Sequence, residues 1–467
     1  MKISQITLNN YLNFKSKLKI DLTYPKGHPK VGKPLDKICF IGQSGTGKTT
    51  LLNLIKYFTC EDGDYDKQCF DKSKIKNKNV EILYRVGNDT FSKVSSDNPF
   101  EFTGVDYSRK PAKPIEDLNV FVRKELGAKL KNRTHKIISF PFSVVGPHDI
   151  INNSQEDTKK LMDPAKGELN NPSYKEKDTW DFTNENIRYI WQIVFEHVSE
   201  YISEYQAKEL EFSHNIIKNK ISNVDTLREA FEHWAENNPN PIKELADKCL
   251  NPILEHFSLE VETDINNYPL KSSNKERYII IKGKNDGKVV DYPFLSTGTK
   301  QIMLTAIPLF YLKPRESIIL FDQPEASLYP NIQWLLPKTY LDIAPDNNQF
   351  FFATHSPVVA SAFDPWEVVE LKFDEKTGKV YRKEFYDTAK QRNEKSYVIN
   401  PKLLRWDSNY KKLFDLNRQG NDDRRVSLRK LSEMDAEIKS EGIDPKKKAK
   451  LIEDYMKLAA LLDWNID

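Results

Sequence analysis

Cysteine is scarce in this chain: four residues in 467, Cys39, Cys60, Cys69 and Cys249, with no CxxC pair and no histidine at zinc spacing. That argues against a disulfide framework and a structural zinc site. Long apolar runs are missing too. No window approaches the roughly 18 to 20 uninterrupted apolar residues that a membrane span needs. The opening MKISQITLNNYLNFKSKLKI breaks its apolar positions with Lys and Asn, unlike a signal peptide. The expectation is a cytoplasmic protein. Nor is there an excess of one charge, since 71 Lys and Arg stand against 68 Asp and Glu, a net charge of +3. This excludes wholesale electrostatic binding of nucleic acid and leaves only local patches. The basic clusters at Lys72, Lys74, Lys76 and Lys78, at Lys124, Lys129, Lys131 and Arg133, and at Lys446, Lys447 and Lys448 read as solvated faces. Internal repeats and low-complexity tracts are absent. What is present is globular material, 39% hydrophobic and 30% charged, long enough for two or three domains.

Periodicity organises it. Leu18, Ile20 and Leu22 alternate like a half-buried strand, and KICFI (37–41) is the short apolar run of a buried parallel strand. GQSGTGKTT and the helical run LLNLIKYF follow. From 80 to about 107, short β-rich runs between Gly, Asn and Asp turns predict an antiparallel patch, and KIISFPFSVV (136–145) another strand. The polar stretch 146–180 reads as a long loop. Ile187, Ile190, Trp191, Val194, Val198 and Tyr201 fall at helical spacing, and 242–257 is helical with an interruption at Pro252. Strands return at SLEVET and RYIIIKG. Helix (299–312), strand (317–321), helix (331–343), strand (349–353) then alternate, which predicts an α/β architecture with parallel strands. A hairpin turning at EKTGK follows. Two terminal helices are expected, lined by Leu428, Leu431 and Ile438 and by Ile452, Tyr455, Met456, Ala459 and Leu462.

Four segments carry chemistry. Gly42-Gln43-Ser44-Gly45-Thr46-Gly47-Lys48-Thr49 matches G-x-x-x-x-G-K-[ST] after a buried strand and before a helix. Glycines let main-chain N–H groups curl round phosphate oxygens, and the helix N-terminus adds positive potential. Lys48 is expected to reach the β- and γ-phosphates, and Thr49 to give its hydroxyl to magnesium. SIILFDQPEASLYP is an apolar strand ending in Asp322, placed to hold magnesium beside the phosphates. LSTGTKQ sets Ser296 at a helix start, where the local reading is an N-cap. FFFATHSP is a buried strand that ends in a turn at His355.

In this order the four segments resemble the nucleotide-binding domain of the ABC-type ATPases, and more closely its soluble branch: SMC and RecF-like heads, OLD-family ATPases and AAA-type ATPases of bacterial defence systems. The resemblance covers roughly 1–60 and 290–372. It implies a P-loop NTPase of ABC-ATPase type, a mixed sheet with an antiparallel patch, a helical insertion and C-terminal helices. The implied division is 1–145 and 258–385 as the two halves of the head, 146–257 as the insertion and 386–467 as the helical end. It implies ATP and Mg2+ as cofactors, with Gly42 through Thr50 at the phosphates and Thr49 and Asp322 at the metal. A head-to-tail homodimer is implied, with Ser296 and Gly298 closing over the partner's γ-phosphate and His355 contacting the γ-phosphate in cis. Tyr11 or Phe14 would lie near the adenine, and Gln155 is the nearest candidate for a Q-loop.

One position departs from the pattern. The family's water-polarising Glu is here Gln323, whose neutral amide orients water without accepting its proton, so hydrolysis is expected to be slower by ~10² to 10⁴-fold. Three accounts stay open: a trapping Glu-to-Gln replacement, favoured by the otherwise complete motifs; Glu325 acting instead; or an ATP sensor. Two functions compete. One is an ATP-driven switch that controls a partner effector such as a nuclease, resembling the ATPase half of PtuA-like or AriA-like anti-phage systems. The other is a RecF-like DNA repair ATPase. A transporter ATPase fits poorly, and no HNH-like or Toprim-like nuclease pattern is present.

Overall fold

The structure is a computed structural model that describes residues 1–59, 80–94, 136–141, 179–182, 201–211, 214, 224–268, 279–387, 391–414, 421–462 and 464, apart from positions 16, 87–88, 209, 238–239, 292–293 and 441. Gln155, Cys60, Cys69, the basic clusters at 72–78 and 124–133, and the run from Ile187 to Val198 lie outside the described residues. The chain forms two compact units, Met1–Leu404 and Arg405–Asp467.

In the first unit, β1 (Lys2–Leu8) and β2 (Leu18–Asp21) pair antiparallel. β3 (Lys37–Gly42) leads through the glycine-rich turn into α1 (Lys48–Thr59). β4 (Val80–Val86) and β5 (Asp89–Val94) complete an antiparallel sheet of order β2-β1-β4-β5, the patch that the sequence predicts. β6 (Ile137–Phe140) and β7 (Thr179–Asp181) are parallel neighbours. Residues 179–180 are therefore strand, not the end of a long loop. Three residues are too few for their alternation to show in sequence, and pairing with Ile137 and Ile138 makes them a strand.

Helix α2 (Val224–Asn237) precedes a helical run over 241–257 that passes through a π-helical segment, Ala246–Leu250, before Pro252. Pro252 has no N–H to donate, and the widened turn accommodates that, with the Asn251 N–H reaching Ala246 O. β8 (Leu259–Val261) and β9 (Ile281–Gly283) form a separate antiparallel pair.

The second half of the head runs α3 (Thr297–Leu312), β10 (Ile318–Asp322), α4 (Pro330–Gln333), α5 (Leu336–Ile343), β11 (Gln349–Ala353), α6 (Pro357–Ala360), β12 (Val368–Phe373) and β13 (Val380–Arg382). The helix expected over 331–343 is thus two. Pro337 cannot donate to the carbonyl four residues back, and the chain turns at Trp334 and Leu335. The main sheet has the order β13-β12-β3-β11-β10-β6-β7, parallel from β12 to β7 with β13 antiparallel at its edge. This is the mixed sheet of a P-loop NTPase.

Because side chains alternate along a strand, each central strand feeds both faces of the sheet. Ile318 and Leu320 of β10, with Phe351 and Ala353 of β11, join one core with Leu51, Leu54 and Ile55 of α1 and with Ile3, Ile6, Ile82 and Tyr84 of the antiparallel sheet. The alternate residues turn away: Phe321 stacks on Phe140 at 4.9 Å, on Tyr340 at 4.2 Å and on Phe352 at 5.1 Å. Truncating a ring buried this completely costs about 3–5 kcal/mol. The first core clamps α1 between two sheets, which holds the glycine-rich turn rigidly. Gln349 locks the sheets together at the opposite strand ends, accepting from Ile3 N at 2.6 Å and donating to Ile3 O and Leu35 O.

β14 (Phe385–Asp387) and β15 (Arg392–Glu394) pair antiparallel across the expected boundary at 386. Residues up to 404 belong to the first unit, held by Tyr397 to buried Glu370 and by Lys402 to Asp364 at 2.7 Å. These are contacts between residues far apart in sequence, invisible to a composition shift. The second unit holds α7 (Trp406–Phe414), α8 (Asp422–Ile438) and α9 (Pro445–Leu461). Leu431, Ala459 and Leu462 are its buried core, with Leu428, Tyr455 and Leu458 packed round them. Ile452 and Met456, expected in that stripe, are exposed. In the third basic cluster Lys446 and Lys447 are exposed, and Lys447 pairs with Glu437 at 2.7 Å.

Candidate functional site

The turn between β3 and α1 lies at the carboxyl end of β3, an interior strand of the main sheet. Gly42 has φ +147° and its missing Cβ would sit 2.3 Å from Leu371 O, so neither its dihedral nor its space admits a side chain. Gly47, at φ +85°, has the Phe14 ring where a Cβ would be, at 2.6 Å. Tyr11 and Phe14 are both buried within the chain; Phe14 supports the turn from beneath instead of lying open beside it. Thr46 is buried and donates its hydroxyl to Gln43 O at 2.8 Å, while Gln43, Ser44, Gly45 and Thr49 are exposed and Thr50 is half-buried. Lys48 folds back over the turn, donating to Gly42 O at 2.9 Å and Gln43 O at 3.0 Å. Burial lowers its ammonium to about 8, against the attraction of Asp322 and Glu325.

Asp322 ends β10 beside the first turn of α1, and Thr49 Oγ1 donates to its Oδ2 at 2.8 Å. Burial raises the Asp322 carboxyl above its usual range, opposed by the Thr49 hydroxyl and the Lys48 charge. Its Oδ1 is buried with no hydrogen-bond partner. A hard divalent cation fits this pair, since magnesium takes a carboxylate and a hydroxyl oxygen and completes its octahedron with phosphate and water oxygens. Among the described residues no cluster of three or more His, Cys, Asp or Glu could hold a metal by itself.

Gln323 follows Asp322 with φ +49°, a left-handed conformation that costs a residue with a Cβ about 1–2 kcal/mol. Its N–H donates to Ala353 O at 2.7 Å, which holds the bend at the strand end. Glu325 is buried. Its Oε1 accepts from Thr354 Oγ1 at 2.6 Å and from His355 N at 3.1 Å, and its Oε2 has no hydrogen-bond partner. Sequence reasoning passed over this clamp: the carboxylate fastens the turn carrying His355 to the end of β10. The signal that could have found it is the threonine of ATHSP, a donor for a buried acid. His355 is half-buried, and burial, followed by the nearby Lys48 charge, lowers its imidazole below the usual range, so it is neutral at pH 7. Lys48, Thr49, Asp322, Glu325 and the His355 turn therefore converge from α1, β10 and β11.

Ser296 and Gly298 lie at the start of α3. Ser296 is exposed and caps α3, accepting from Thr299 N at 3.1 Å and sharing a hydroxyl contact with Thr299 at 2.8 Å; neither bond goes to the 42–50 turn. The N-cap expectation is met. Gly298 is buried against the segment after β10, where a Cβ would meet Ser327 O at 2.6 Å and Leu328 Cδ2 at 2.8 Å.

Among the described residues no helix is long and apolar enough to cross a membrane. No curated protein matches the chain. A solved structure described as the SmcHead bound to the C-winged helix domain of ScpA is similar at 13% identity and a TM-score of 0.40, over 82% of this chain and 98% of that one. The family described as AAA ATPase domain matches residues 1–360, the span that holds the phosphate turn, the Asp322 strand and the His355 turn. On that match, over well more than half its length, the chain belongs to the AAA ATPase domain family and is an ATP-binding ATPase.

Proposed function

We propose that the chain is an ATP-dependent molecular switch that closes head-to-tail as a homodimer around ATP and Mg2+ and thereby controls a separate effector protein, such as a nuclease, in anti-phage defence. The observation that carries the nucleotide part is the 2.8 Å bond from Thr49 to Asp322, with Lys48 folded on the same turn. In this reading the N–H groups of Gly42 through Thr50 cradle the phosphates and Lys48 swings from the carbonyls of Gly42 and Gln43 onto the β- and γ-oxygens. Thr49 and Asp322 hold magnesium, which when bound offsets charge on the phosphates. His355, neutral, meets the γ-phosphate in cis. Gln323 orients the attacking water through its amide but cannot take the proton, which slows the chemical step.

The dimer reading is supported by position. Ser296 is exposed at the start of a sixteen-residue helix and bonds to nothing near its own phosphate turn. It is the residue proposed to close over the partner's γ-phosphate; buried Gly298 sets the height of that helix end through its contact with Ser327. The test is mass in solution by light scattering. Addition of ATP and magnesium should shift the protein toward dimers or larger assemblies, and Lys48→Ala should abolish the shift. Unchanged mass in the unmodified protein with ATP demonstrably bound sinks the switch reading. Salt-sensitive DNA binding without a protein partner turns the assignment toward repair.

A further inference from the structure

The turn carrying His355 is held from two sides, and only one holder is the Glu325 clamp. On the other side Ser356 Oγ donates to Gln333 Oε1 at 2.5 Å. The same amide donates through Nε2 to Leu328 O at 2.8 Å. Both ends of Gln333 are thus used, and chemistry fixes its orientation: a carbonyl oxygen accepts only, so the nitrogen must face Leu328. Ser356 Oγ in turn accepts from Val358 N and Val359 N at 3.2 Å each, capping α6, so its hydroxyl proton is left for Gln333. Leu328 belongs to the segment on which Gly298 rests, the segment whose Ser327 adopts φ +63°. Gln333 is therefore the side chain that joins the floor beneath the α3 N-terminus to the turn holding His355.

We infer that Gln333 is a positioning residue: by tying Leu328 O to Ser356 Oγ it sets the height of His355 over the nucleotide and links that height to the seating of the α3 end that meets the partner protomer. This rests on the reading of His355 as a γ-phosphate contact. Loss of the Ser356 bond removes the side-chain tie between that residue and α4, leaving the Glu325 bonds to Thr354 and the His355 N–H and the packing of α6 on α4 to hold the turn. An amide with two good partners resists replacement by an apolar isostere of the same length, because each abandoned group is left unpaired.

The experiment reads the position of His355 directly. Carbethoxylation of histidines by diethyl pyrocarbonate, mapped peptide by peptide, is compared with and without ATP and magnesium, the other seven histidines serving as internal controls. In the unmodified protein ATP should slow modification of His355 by about tenfold or more. In Gln333→Met that protection should fall below about threefold with ATP affinity little changed, while the thermal midpoint drops by the few degrees that leaving Leu328 O and the Ser356 hydroxyl unpaired costs. Equal protection in the two proteins overturns the inference, as does a parallel loss of ATP affinity, which would make Gln333 merely structural. ATP that binds without protecting His355 in the unmodified protein overturns the γ-phosphate reading and the inference with it. Should Gln333→Met fail to fold, Gln333→Glu reads the same link, since it keeps an acceptor for Ser356 and puts an oxygen against Leu328 O; retained protection there is equally fatal.

Discussion

Thr49 Oγ1 donates to Asp322 Oδ2 at 2.8 Å, joining the first turn of α1 to the end of β10 across 273 residues of chain. Neither residue is informative alone. The bond exists because β3 and β10 both flank β11 in the parallel sheet, so their carboxyl ends open at one edge.

Asp322→Asn separates metal binding from stability. The substitution removes a buried charge whose Oδ1 has no hydrogen-bond partner, so the thermal midpoint should stay level or rise, by up to about 1 kcal/mol in stability. Magnesium should then strengthen ATP binding by less than about threefold, where the unmodified protein shows a tenfold or greater gain in calorimetric titrations. A magnesium effect retained in full would remove Asp322 from the metal site.

Gln323→Glu supplies the missing base at a backbone position already bent to φ +49°. Turnover of ATP should rise by ~10² to 10⁴-fold with KM changed little, since only the proton acceptor differs. Equal and negligible rates in both proteins would leave Gln323 out of the slow step.

Gly298→Ala tests the packing beneath the α3 end. The added methyl meets Ser327 O at 2.6 Å, a main-chain atom that cannot move alone, and the cost should be about 1–3 kcal/mol in denaturant unfolding. Gly378→Ala is the control: open space surrounds it, and its φ of +64° makes its cost purely conformational, about 1 kcal/mol. Equal losses at the two sites would mean that the Ser327 contact relaxes freely.

The acid limb of stability should depend on Asp36. Burial would raise its carboxyl, but bonds from Lys2, Lys30 and Tyr24 outweigh that and hold it at about 2, below the ordinary 3.8. A depressed carboxylate adds stability above its unfolded value and loses it as pH falls through the folded one, so the contribution fades between about pH 4 and 2. With the carboxylate one-third exposed, Asp36→Asn should cost about 1–2 kcal/mol at pH 7 and flatten the unfolding curve across that window. A mutant curve parallel to the original from pH 5 to 2 would contradict this.

Much of the head was legible. The phosphate turn is a local device, so Gly42 through Thr49 show in sequence everything that shapes it except what lies underneath. Alternating helix and strand from 299 to 353 told of parallel strands because a crossover helix is the usual way to join them. The candidate site was less legible. The resemblance put Tyr11 or Phe14 near the adenine, and the burial of Phe14 under Gly47 goes with a bridge to Val380 that no periodicity encodes. Gln333 lies in the helix expected over 331–343 with no local signal of its role, because a side-chain amide announces no partner.

The sequence by itself determined the motifs, their order and the strands and helices that carry them, since each depends on residues within a turn or two of one another. Only the tertiary structure decided which ends meet. The sheet order β12-β3-β11-β10 brings Lys48, Asp322 and His355 to one edge from positions up to 307 apart (355 minus 48). Strand order is set by the burial of both faces of the sheet, a sum over the whole chain, and no window of sequence contains it.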